Sequence, residues 1–152
     1  MASLPRLALT DSVARIHTAL DEHGAVIVEG LLDATLLAEL NRDVDPLLAR
    51  ADPQMNHLNP VLDAFFGKCV RHVTGLAGKS RAFAENVMCH PLLLGLCDRV
   101  LLPGCASYQL NLGHLMDRRP GAEAQWPHRD EDVWVHCPRP HPELQLATVV
   151  AL

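Results

Sequence analysis

The run Gln125-Trp126-Pro127-His128-Arg129-Asp130 holds the residues whose types and spacing best suit chemistry. If it is extended, side chains two apart share a face, so His128 and Asp130 project together. An imidazole and a carboxylate placed this way are two of the three ligands of the 2-His-1-carboxylate facial triad. That triad holds Fe(II) on one face and leaves the opposite positions open. On its own the H-x-D spacing has low specificity, because many surface strands carry two polar residues in that pattern.

The remaining histidines offer less. His136 stands eight positions beyond His128, about 26 Å along a straight strand, too far to share a metal unless the chain folds back. His141 follows the turn-rich Cys137-Pro138-Arg139-Pro140 with nothing to place it. Both read as solvent-exposed loop residues. Arg139 shows no sign of the fixed, buried fork that carboxylate recognition demands. His17, His23, His57, His72, His90 and His114 read as structural or solvated, and Trp134 as either a cavity wall or a core side chain.

Helices and strands must position that run. Val13, Ile16 and Leu20 recur at helical spacing over 11–23, with Thr10 or Asp11 as N-cap and Gly24 as stop. Ala25 to Val28 is a short β-branched run. Asp33 caps a second helix whose apolar face is Leu36, Leu37, Leu40, Val44 and Leu47 or Leu48. Over 51–78 the pattern is broken by Pro53, Pro60, Gly67, Gly75 and Gly78, and a partly ordered loop with short helical pieces is expected. Ser80 caps a helix bearing Phe83 and Val87. Pro91 opens another, with Leu92, Leu93, Leu96, Val100 and Leu101 as its buried stripe, ending at Pro103-Gly104. The period then changes to alternation. Strands are expected over Tyr108 to Met116, about Gln125 to Val135, and Leu144 to Leu152.

Composition sets the outer limits. The 152 residues are 49% hydrophobic and 20% charged with net charge −5, which removes any electrostatic case for nucleic acid or an anionic membrane surface. No stretch approaches the roughly 20 apolar residues of a membrane span, and residues 1–10 lack a secretory pattern. Five cysteines without a C-x-x-C pair read as reduced thiols, and a cytoplasmic location is expected.

Leu20 to Leu32, L-D-E-H-G-A-V-I-V-E-G-L-L, resembles the opening of the phytanoyl-CoA dioxygenase family of Fe(II)/2-oxoglutarate-dependent oxygenases. Phe83 to Gly104, with His90-Pro91 and a Leu-rich helix ending L-L-P-G, is similar to the family's helical region before its barrel. The segments Tyr108 to Met116 and W-P-H-R-D-E-D-V-W fall where the family places its first barrel strands and proximal iron ligands. Each motif is loose; their order and spacing together are more specific. The resemblance runs from about residue 11 to the end.

It implies an α+β fold in a single domain over 1–152, with helices in 11–104 packed on the first strands, 105–152, of a double-stranded β-helix or jelly roll. It implies an oxidoreductase: a dioxygenase with Fe(II) as metal and 2-oxoglutarate as cosubstrate, hydroxylating a small organic molecule with succinate and CO2 as coproducts. His128 and Asp130 become the catalytic metal ligands, with Gln109, Asn111, Gln125 and Trp126 as cofactor-binding residues. Asp130 argues against the halogenating relatives, in which a small residue replaces the carboxylate. The family's second iron histidine and its 2-oxoglutarate-binding arginine have no matching positions here. The fold is therefore expected to be truncated, its apolar last strand free to self-associate. A catalytically inactive module that binds metal weakly or serves protein interaction stays open at this point.

Overall fold

The computed structural model describes residues 3–152. Its first unit is a parallel pair of short strands, β1 (Arg6–Ala8) and β2 (Ile27–Glu29), joined through helix α1 (Val13–His23). Parallel strands need such a crossover. The N-cap is Ser12, whose Oγ accepts the Arg15 N–H at 3.2 Å. Asp11 instead accepts the Ala8 N–H at 2.8 Å. Gly24 ends α1 with φ +73°, the left-handed turn that favours glycine, and its N–H returns to the Leu20 carbonyl at 2.7 Å.

Helix α2 (Ala34–Leu48) is capped by Asp33, as expected. Its residues Leu40 and Val44, one turn apart, are both buried and enter two different clusters. Leu40 meets Ala82 and Val87, while Val44 meets Val73 and Leu76. Ser80, almost fully buried, ties α2 to the next helical segment. Its hydroxyl donates to Asp43 Oδ2 at 2.6 Å and accepts the Phe83 N–H at 3.0 Å. That segment widens into a π-helix over Phe83–Met88. Helix α4 (Pro91–Leu101) buries Leu92 and Leu96 against Ile16 of α1. Gly95 permits the approach, since a Cβ there would lie 3.3 Å from a Val13 methyl.

Further expectations are corrected. Over 51–78 the expected short helical pieces are present, α3 (Pro60–Phe66), capped by the Asn59 side chain, and a 3-10 turn at Leu76–Gly78, but strand β3 (Val70–Thr74) lies between them. The strand expected over Tyr108 to Met116 is confined to β4 (His114–Arg118), antiparallel to β3 with Thr74 opposite His114. Thr74 is followed by Gly75 at φ +68°, which ends β3; Leu76 N–H still meets the Gly113 carbonyl at 3.0 Å, but no ladder continues over 108–113. Gln125 to Val135 is extended only to Arg129; Asp130–Trp134 is a 3-10 helix. Asp130, Glu131 and Asp132 fill its first turn, where carboxylates suit the exposed N–H groups.

Leu144 to Leu152 is likewise not a strand among the described residues, since no neighbour offers it a ladder. It lies across the helices, with Leu146 packed on the Ile16 cluster and Val150 on the Leu40 cluster. The fold is therefore mixed α and β with few strands, and 105–152 contributes one of them rather than a set.

Candidate metal centre

The β3–β4 ladder carries an imidazole pair. His72 Nε2 and His114 Nδ1 stand 3.1 Å apart, one donating and the other accepting. Phe66 packs on His72 at 4.7 Å and His57 on Phe66 at 4.8 Å. Burial, then the neighbouring His114 and His57, push His72 from 6.5 down to about 4. Burial lowers His114 too, opposed by the Asp130 carboxylate.

A histidine depressed this way favours the unfolded chain whenever it is protonated. Its contribution is complete above pH 6.5 and is lost as pH falls toward about 4. After allowance for solvent screening the loss is on the order of 1–2 kcal/mol. Urea midpoints across that window are expected to drop in the native protein and to drop less in His72→Phe; parallel curves would refute the assignment.

His128 and Asp130 meet beside this ribbon. Arg129 between them is extended, φ −112° and ψ 131°, so alternation holds across the three residues even though Asp130 begins a helix. The His128 Nε2 to Asp130 Oδ1 distance is 3.4 Å. His128 Nδ1 lies 3.0 Å from the Trp126 carbonyl. A carbonyl only accepts, so Nδ1 carries a proton there, which leaves Nε2, the nitrogen beside the carboxylate, as the one a metal would use. Phe65 from α3 stands edge-on to His128 at 4.7 Å and to Trp126 at 5.2 Å, walling one side.

Two donors each about 2.1 Å from one ion, at right angles, stand about 3 Å apart. The observed pair needs only a small adjustment to share a metal. Among the described residues no group of three or more His, Cys, Asp and Glu converges on one point.

The other expected residues divide. Gln125 is partly buried, and its Nε2 has no hydrogen-bond partner among the described residues, so it is a donor available to a ligand. Trp126 is at the site through its carbonyl and its ring. Gln109 and Asn111 are exposed and precede the ladder, and no hydrogen bond among the described residues joins them to the pair. Arg139 and His141 are not free loop residues. Both reach Glu131, at 3.0 and 3.3 Å, with Arg129 on its other oxygen at 2.8 Å. An open cleft of about 520 Å³ lies along Arg129, Glu131, Arg139 and Pro140 to Glu143.

Residues 20–152 match the family described as phytanoyl-CoA dioxygenase (PhyH). The chain belongs to that family. Its relatives include a dioxygenase, olcK, of Penicillium canescens, 26% identical over all of this chain and 51% of its own length. Penicillium thymicola penM, an iron/alpha-ketoglutarate-dependent dioxygenase, is 33% identical over 84% of this chain and 40% of its own. Aspergillus novofumigatus nvfF, an Fe(II)/2-oxoglutarate-dependent dioxygenase, is 30% identical over 76% of this chain and 40% of its own. The chain thus spans about half the length or less of these relatives.

The donor set of this phytanoyl-CoA dioxygenase-family chain, an imidazole nitrogen beside a carboxylate oxygen, supplies two of the three ligand types that a non-haem Fe(II) facial triad uses. Sequence reasoning missed Phe65, and Gln145, whose Nε2 lies 3.4 Å from Asp130 Oδ2. Asn59-Pro60 was a readable start for the helix that presents Phe65. Gln145 is an amide set between two leucines in an otherwise apolar run.

Proposed function

We propose that this chain carries the His128–Asp130 limb of an Fe(II)/2-oxoglutarate-dependent dioxygenase that hydroxylates a small organic substrate. The observation that carries the reading is the 3.4 Å approach of His128 Nε2 to Asp130 Oδ1 in a chain of this family. His128 and Asp130 are the metal ligands. The Gln125 amide nitrogen, without a partner among the described residues, is a donor for a carboxylate of the cosubstrate, and the Trp126 carbonyl holds the proton on His128 Nδ1 while Phe65 stands edge-on to the ring. Fe(II) held by His128 and Asp130 would supply, with 2-oxoglutarate and O2, the oxidising power for hydroxylation of a substrate C–H, with succinate and CO2 as coproducts. Residues 1–152 act as one domain, in which the helical layer carries the β3–β4 ladder.

The test is succinate formation from 2-oxoglutarate with added Fe(II) and ascorbate, beside Co(II) binding, in the native chain and in His128→Ala. Turnover and Co(II) binding both abolished by the substitution support the enzyme. Co(II) binding lost in the variant, with no turnover in either protein, leaves a metal-binding module without catalysis. Binding unchanged by His128→Ala rejects the metal centre.

A further inference from the structure

We infer that Gln145 is a positioning residue for the Asp130 carboxylate, an assignment that rests on reading His128 and Asp130 as metal ligands. The two oxygens of Asp130 have different neighbours. Oδ1 faces His128 Nε2, and Oδ2 lies 3.4 Å from Gln145 Nε2. That second contact is long for a hydrogen bond, yet its polarity is determined by chemistry. Gln145 Oε1 lies 2.9 Å from Trp134 Nε1, in a partly buried contact. An indole N–H only donates, so the amide oxygen must face Trp134 and the amide NH2 must face Asp130. The Gln145 backbone is held as well, because the next residue, Leu146, packs on the cluster of Ile16, Leu92 and Leu96.

Trp134, Gln145 and Asp130 thus form one line that ends on the carboxylate oxygen turned away from His128. It holds Asp130 in the rotation that presents Oδ1 beside the imidazole. Hydrogen-bond partners of metal-binding carboxylates typically change metal affinity about 10- to 100-fold when removed. Trp134 thereby acquires a role distinct from cavity wall or core filling: it locks the amide.

The experiment is calorimetric titration of the full chain with Co(II), comparing native protein, Gln145→Met, Trp134→Phe, the double variant and His128→Ala. Gln145→Met is expected to weaken Co(II) binding about 10- to 100-fold, and Trp134→Phe to weaken it less. The double variant is expected to bind no more weakly than Gln145→Met alone, because both act through one chain of contacts. A metal-free readout accompanies it: the Trp134 indole N–H resonance should move and exchange faster with solvent in Gln145→Met.

Native Co(II) affinity in Gln145→Met beside lost binding in His128→Ala would overturn the assignment and leave the metal centre standing. Additive losses in the double variant, or an unmoved indole resonance, would overturn it too. Native affinity in His128→Ala would remove the metal centre and the assignment together. If Gln145→Met does not fold, native affinity in Trp134→Phe would overturn the assignment and weakened affinity would support it.

Discussion

Ile16→Ala is expected to lower the free energy of unfolding by about 3–4 kcal/mol, toward the upper part of the range for buried aliphatic truncations. Ile16 is 0% exposed. It lies where α1, α4, the β1–β2 pair and Leu146 come together, with Leu92 and Leu96 beneath it and Val13, Val26 and Val28 around it. A site enclosed from several elements cannot collapse onto a missing side chain, so the cavity persists. Domains of this size are stable by about 5–15 kcal/mol in total, so a large share would go. Urea unfolding checks it, with Leu94→Ala as comparison: Leu94 is on the same helix but 38% exposed. Equal losses from the two substitutions would show that this cluster is not the core.

The second large effect is local. A Cβ built on Gly104 would fall 2.4 Å from Cγ and 2.5 Å from Cβ of Pro142. A proline ring cannot rotate aside, so Gly104→Ala must push the Pro142 backbone away from the end of α4. Overpacking of this kind costs about 1–3 kcal/mol. The displaced segment leads directly to Glu143 and Gln145, so the change is also expected to raise amide hydrogen exchange at Leu144 to Leu146. Gly78→Ala, where nothing lies within 4 Å of the new methyl, is the control. Exchange at 144–146 that matches the control would mean that Gly104 does not seat this segment.

The helices were legible because their signals are local. Asp33, Gly24 and Pro91 each act on the turn beside them, and the apolar spacing around Ile16, Leu40, Val44, Leu92 and Leu96 follows from 3.6 residues per turn. Strands depend on partners that the local pattern does not name. Alternation over Tyr108 to Met116 was real, yet only the part opposite Val70–Thr74 could form a ladder. The β-type run Leu144 to Leu152 found helices beneath it instead of a strand beside it. At the site, the His128–Asp130 juxtaposition was readable because Arg129 is extended. The Gln145–Trp134 contact was not, since it joins residues across a Pro-rich turn whose course has no periodic signature.

The register of β3 against β4 also carries a cost in time. Thr74 pairs with His114, so the ladder closes a loop of roughly forty residues, about 3 kcal/mol of chain entropy for an unstructured segment. The π-helical turn and α4 lie inside that loop and shorten it once folded. A ribosome adding about 5–20 residues per second needs about 2–8 seconds to deliver the second strand after the first. Through that interval Val70 and Val73 wait without their partner, and so does His72. The His72–His114 pair beside His128 and Asp130 is therefore completed only after the intervening helices have been made.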